Sequence, residues 1–128
     1  MISSLSTSLS GLQANAARVA TAANNIANVR STGPADQPQR AYQPQVTTTE
    51  ALAGGGVTTK TQTVTPPTTT AYAPDDPNAN AEGLVAMPNV SLENEMIEQQ
   101  TAVIGYKANA SAVRVASEMD KSLLDLMV

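Results

Sequence analysis

The sequence has no cysteine, no histidine, no phenylalanine and no tryptophan, and three tyrosines are its only aromatic residues. Each absence removes a class of function. Without cysteine there is no disulfide framework, no thiolate nucleophile and no thiolate metal site. Without histidine the commonest general base and the commonest metal ligand are both missing, so the inventory for an enzyme is poor. Aromatic side chains supply much of a small domain's buried area. A 128-residue chain almost devoid of them must draw its stability from aliphatic helix packing or from association with other chains. Charge is sparse as well. The seven basic residues (Arg18, Arg30, Arg40, Lys60, Lys107, Arg114, Lys121) are scattered in a chain of net charge −4, which argues against nucleic acid as a partner. No apolar run is long enough for a membrane span, and no motif calls for a cofactor or a small-molecule substrate. The first 17 residues alternate Ser and Thr with Leu and carry no charge, so they lack both the basic and the continuous apolar regions of a Sec-type signal.

What is present is periodic. From Ile2 to Asn28 the apolar positions are Ile2, Leu5, Leu9, Leu12, Ala16, Val19, Ala23 and Ile26, spaced alternately by three and four. This heptad seam predicts a helix roughly 40 Å long at about 1.5 Å per residue, with Ser3, Ser4 or Ser6 as its cap. Its apolar stripe is too narrow to bury itself and needs a partner helix. The other positions are small and uncharged apart from Arg18, which suits close packing of several helices better than a lone hairpin. The seam ends in the amide cluster Asn24, Asn25 and Asn28. These amides either terminate the helix or hydrogen-bond a loop or a neighbouring chain, where a buried amide fixes register.

Between about residues 31 and 88 the text changes. Gly33-Pro34 ends any helix, and residues 30–45 read as a loop. Residues 41–65 are threonine-rich with a period of two and a turn at 53–56, predicting a β-hairpin polar on both faces; disorder is the competing reading. Residues 72–89 read as a loop in which Asp76, Asn78, Asn80 and Glu82 mimic the start of a calcium loop. That match fails at Ala81 and Met87, and local side-chain to backbone hydrogen bonds account for the pattern better.

From residue 89 helical spacing returns, with Asn89 or Ser91 as cap and Glu93, Glu95 and Glu98 in the first turns, where the helix dipole favours anions. Three close carboxylates could also suggest a metal site, a reading the lack of histidine weakens. Leu92, Met96, Val103, Tyr106, Ala110 and Val113 form a seam that slips to Ala116, Met119, Leu123 and Leu126. The first helix, through Arg30, carries Arg18 and Arg30 and no acid. The last carries a net charge of −3, so the two attract. The fold class expected is therefore mainly α: two long terminal helices, 1–30 and 89–128, pairing as an antiparallel coiled-coil hairpin around an insertion, 31–88. Seam residues expected to pack subunits are Leu5, Leu9, Leu12, Val19, Ile26, Met96, Val103, Tyr106, Val113 and Leu123.

Three strings carry a resemblance. Ser8 to Asn15 (SLSGLQAN) with Arg18 and Ala23 to Asn28 (ANNIAN) resembles the amino-terminal signature of bacterial flagellar rod and hook proteins. Tyr72 to Val85, running into Met87-Pro88-Asn89-Val90, resembles the segment before the last helix in the proximal-rod branch of that family. Glu95-Met96 and Tyr106-Lys107-Ala108-Asn109 resemble its carboxy-terminal helix. Ile104 stands where the family usually has arginine, and the threonine-rich stretch lies outside the resemblance. What the resemblance implies is a non-catalytic rod subunit. It would pass through the flagellar type III export apparatus without a Sec signal and assemble with itself and other rod and basal-body proteins into a periplasmic helical tube that transmits torque. Another flagellar axial subunit, or a soluble coiled-coil interaction protein, is the alternative.

Overall fold

A computed structural model describes residues 2–126, with side chains from residue 5 onward; the side chains of Ile2, Ser3 and Ser4 lie outside the described residues. Two helices dominate it. Helix α1 spans Ile2–Asn28 and helix α2 spans Leu92–Asp125. Because α1 is already helical at Ile2, the three serines predicted as caps fall inside it. Helix α2 opens as expected at Ser91, whose hydroxyl accepts the Asn94 amide (3.4 Å), with Glu93 and Glu95 in the first turn.

Between the helices lie five strands in two sheets. Strands β2 (Gln45–Ala51) and β3 (Val57–Thr63) form the expected threonine-rich hairpin, pairing Thr47 with Thr61 and Ala51 with Val57. Its turn closes through the Gly55 amide on the Leu52 carbonyl (2.9 Å), and Gly55 and Gly56 both adopt positive φ, a conformation that L side chains rarely take. The second sheet was not expected. Strand β5 (Leu84–Pro88) lies between β1 (Gly33–Pro34) and β4 (Thr68–Tyr72), all antiparallel. The segments read as loops at 30–45 and 72–89 therefore each give up residues to a sheet. Val85 and Ala86 in β5 are buried, and this short strand holds some of the few buried apolar side chains in the molecule.

The remaining loop, between β4 and β5, folds on itself. Asp76 accepts the Asn78 amide (2.8 Å), and the Asn80 side chain accepts the amides of Glu82 (3.0 Å) and Leu84 (2.9 Å). The Asn78 side chain reaches across to the Thr32 hydroxyl (3.0 Å), tying this loop to the one after α1. Asp76 and Asn80 thus spend side-chain oxygens on backbone amides, as local hydrogen bonding predicts.

Helix α1 sits between two layers. On one side α2 runs antiparallel to it, Gly11 lying against Asn109, Asn15 against Gly105, Arg18 against Glu98 and Asn25 against Glu95. On another the hairpin is fastened at three levels. Ser10 accepts the Val57 amide (3.0 Å) near the turn, Thr21 meets Thr47 (2.7 Å) in the middle, and Asn25 binds Gln45 at the base. Thr47 passes the contact on to Thr61 (3.0 Å), so hydroxyls do the work that large apolar residues do in most small sheets.

Candidate assembly surface

The two helices meet through small and polar residues. On α1 the inward set is Gly11, Asn15, Arg18, Ala22 and Asn25; on α2 it is Glu95, Glu98, Ala102, Gly105 and Asn109. Both sets keep the alternation of three and four that brings residues back to one face. The apolar seam read from sequence follows it by one residue, at Leu12, Ala16, Val19, Ala23 and Ile26 on α1 and at Met96, Val103, Tyr106 and Ala110 on α2. One residue is roughly 100° around a helix. The terminal helices do pair, but not through their apolar stripes.

Asn25 is the centre of the polar contact and is fully buried. Its Nδ2 donates to the Gln45 carbonyl (2.7 Å) and to Glu95 Oε1 (2.9 Å). Its Oδ1 accepts from the Tyr42 hydroxyl (2.9 Å) and the Gln45 amide (3.1 Å). Two donors and two acceptors are thus all engaged, and a single side chain joins α1, α2 and the start of β2. Burial raises the carboxyl of Glu95 above its usual range. The Asn25 hydrogen bond works the other way, and nearby Glu98 adds to the rise. Burial, with the charge of Glu95, likewise raises the Tyr42 hydroxyl. About two turns back along α1 the Arg18 Nε donates to Glu98 at 2.6 Å, and that bond raises the guanidinium further.

The three carboxylates at the start of α2 are therefore dispersed: Glu93 accepts from the Ser91 hydroxyl, Glu95 binds Asn25 and Glu98 binds Arg18. Among the described residues no group of three or more His, Cys, Asp or Glu side chains could hold a metal ion. Nor is any helix there long and apolar enough to cross a membrane.

The amides of the cluster divide their work. Asn25 turns inward, Asn28 donates to the Asn24 carbonyl one turn back (2.9 Å), and Asn24 is exposed. Asn15 donates to the Gly11 carbonyl (2.8 Å) and accepts from Arg18 (3.4 Å). Pro88 is buried opposite Thr68, and Asn89 bonds the Pro66 and Pro67 carbonyls, holding β5 to β4 just before α2. Sequence reasoning missed Tyr42, Gln45, Thr21 and Thr47. The only available signal was that Tyr42 is one of three aromatics, placed in a stretch otherwise without large apolar side chains.

The apolar stripes face outward. Leu9 is 51% and Met96 50% exposed. Leu5, Val103, Tyr106 and Leu123 are also exposed, while Leu12, Val19, Ile26 and Val113 are half-buried. An open groove where the two stripes converge is lined by Ala16, Val19, Ala20, Val103, Tyr106 and the stem of Lys107. Apolar side chains continue along α2 at Val115, Met119, Leu123, Leu124 and Leu126, all exposed.

A helix pair closed by polar contacts, with both apolar stripes on its outside, is the form of a subunit built to associate. The comparisons with known proteins give that form a family. The family model described as flagella basal body rod protein matches residues 5–34. The flagellar basal-body rod protein FlgC of Escherichia coli O6:H1 is 37% identical over 121 residues, 91% of this chain and 90% of that protein. FlgC of Salmonella typhimurium is also 37% identical, and FlgC of Aquifex aeolicus is 30% identical over 93% of this chain. The chain belongs to the flagellar basal-body rod protein family.

Proposed function

We propose that the chain is a structural subunit of the bacterial flagellar basal-body proximal rod. Its surface is made for neighbours rather than for substrate. The observation that carries this reading is the outward position of the apolar stripes: Leu9, Met96, Val103 and Tyr106 stand exposed while the polar seam is closed. Neighbouring rod subunits, copies of this chain and other members of the same structure, cover these stripes, and the helix pair acts as one antiparallel coiled-coil unit of a helical tube. The tube transmits torque through interlocked helices. Its subunits reach the periplasm through the flagellar type III export apparatus. Deleting the gene and imaging basal bodies by electron microscopy tests the reading. Loss of the rod and filament, restored by the gene in trans, is the expected result; rods of normal length without it, and with no compensating relative in the genome, would sink the proposal.

A further inference from the structure

The pairing of the two helices contains a repeat. Gly11-Leu12-Gln13-Ala14-Asn15 on α1 and Gly105-Tyr106-Lys107-Ala108-Asn109 on α2 share the pattern Gly-x-x-Ala-Asn. Because the helices are antiparallel, each asparagine lies on the other segment's glycine. A Cβ added at Gly11 would come within 2.6 Å of Asn109 Nδ2, and one added at Gly105 within 2.8 Å of Asn15 Oδ1. Separations below 3.0 Å are ones that real Cβ atoms essentially never show. The contact is reciprocal: a methyl group at either glycine obliges the facing asparagine side chain to shift, and at Gly105 that asparagine, Asn15, is held by its hydrogen bonds to the Gly11 carbonyl and Arg18.

Each helix carries two heptad stripes one residue apart, one polar and one apolar, and either could close the pair. Hydrophobic burial alone favours the apolar closure, which would set Leu9, Leu12 and Val19 against Val103 and Tyr106 and take these stripes away from a neighbour. We infer that the two Gly-x-x-Ala-Asn segments form a register key, which selects the polar stripe for closure within the chain and so holds both apolar stripes on one face for the helix of a neighbouring subunit. The key has no counterpart in the apolar closure, because turning either helix by one position moves the glycines out of the contact. Asn15 is held in place for this role by the Gly11 carbonyl and by Arg18, which is itself fixed by Glu98. The inference rests on the reading of the apolar stripes as the subunit-binding surface.

Alanine is a better helix former than glycine, so Gly11→Ala and Gly105→Ala strengthen each helix by itself and damage only the contact between them. In a strain lacking the gene, complementation with Gly105→Ala is expected to reduce the number of complete rods and the swimming rate at least tenfold. The double variant Asn15→Ala/Gly105→Ala, which removes the seated amide and makes room for the methyl group, is expected to recover much of both. The purified full-length chain gives a second readout independent of the rod: Gly105→Ala lowers the melting midpoint by about 5 °C or more, and the double variant restores part of it. Glycine variants that swim and melt like the wild type, or a double variant no better than Gly105→Ala alone, overturn the key. Failure of the rod reading looks different: the deletion strain itself then builds rods, while the melting comparison still decides whether the key exists.

Discussion

Asn25 shows how much a single residue can carry in a chain with so little apolar bulk. Among the described residues Val85, Asn25 and Pro44 are the largest of the fully buried side chains, so an amide is one of the principal packing elements. Asn25→Ala removes four hydrogen bonds and leaves the Gln45 backbone and Glu95 without their partner in a closed site. The expected loss is about 2–3 kcal/mol of unfolding free energy, measured by urea denaturation of the full-length chain. Glu95 makes a prediction of opposite character. Its carboxyl is raised chiefly by burial, so the folded state holds the proton more tightly than the unfolded chain does. Its contribution to stability is therefore greatest below the ordinary value of 4.5 and is lost as pH rises through the folded value. Glu95→Gln keeps an oxygen acceptor for Asn25 but removes the charge. Melting curves at about pH 5 and pH 8 are expected to lie closer together in the variant than in the wild type, with no loss of stability at the higher pH. A variant that melts earlier than the wild type at pH 8 would show that the charge itself is needed.

At the scale of elements, periodicity located both helices and the hairpin turn, because spacing of three and four or of two survives whatever the residues pack against. It did not say which stripe closes. Hydropathy marks Leu9 and Val103 as the inner face, and the molecule puts Gly11, Asn15, Arg18 and Ala102 there instead. The reason is physical: small residues let the backbones approach, and the polar groups among them find one another as partners. The second sheet was illegible for another reason. Strands β1 and β5 have two and five residues, with prolines in both, and their partners are distant in sequence, so no local period identifies them. The hairpin was legible in outline, but the hydroxyl contacts that fix it to α1 involve threonines indistinguishable in sequence from the exposed ones around them. An element-scale prediction follows from the outward stripe. Leu9→Asp places a charge at an exposed position, so the helical signal of the purified chain is expected to stay within about 10% of wild type while rod assembly fails. Normal assembly would mean that this stripe is not an interface.

For the whole molecule, the scarcity of large buried side chains predicts that stability depends on company. The purified chain is expected to melt at a temperature that rises with protein concentration, because association buries the stripes that the isolated subunit exposes. A midpoint constant over a hundredfold range of concentration would mean that copies of the chain do not cover one another's stripes. Composition alone supported this much: with no Phe or Trp, the chain was never going to hold a deep aromatic core. The sixty or so residues between the helices were harder to place, and their role is now visible as lining and fastening. They hold α1 by its hydroxyls and Asn25, and fold a second small sheet whose loop reaches Thr32 just after it.

The helices are unequal, 27 residues against 34, and the register between them starts Ile2 level with roughly residue 118 of α2. Among the described residues the last turns of α2 thus extend past the level of Ile2, bearing the exposed Met119, Leu123, Leu124 and Leu126. Copies that stack along the helix axis are expected to overlap there as boards do in a lap joint, so that twisting and pulling load the long sides of the helices in shear instead of prising their tips apart.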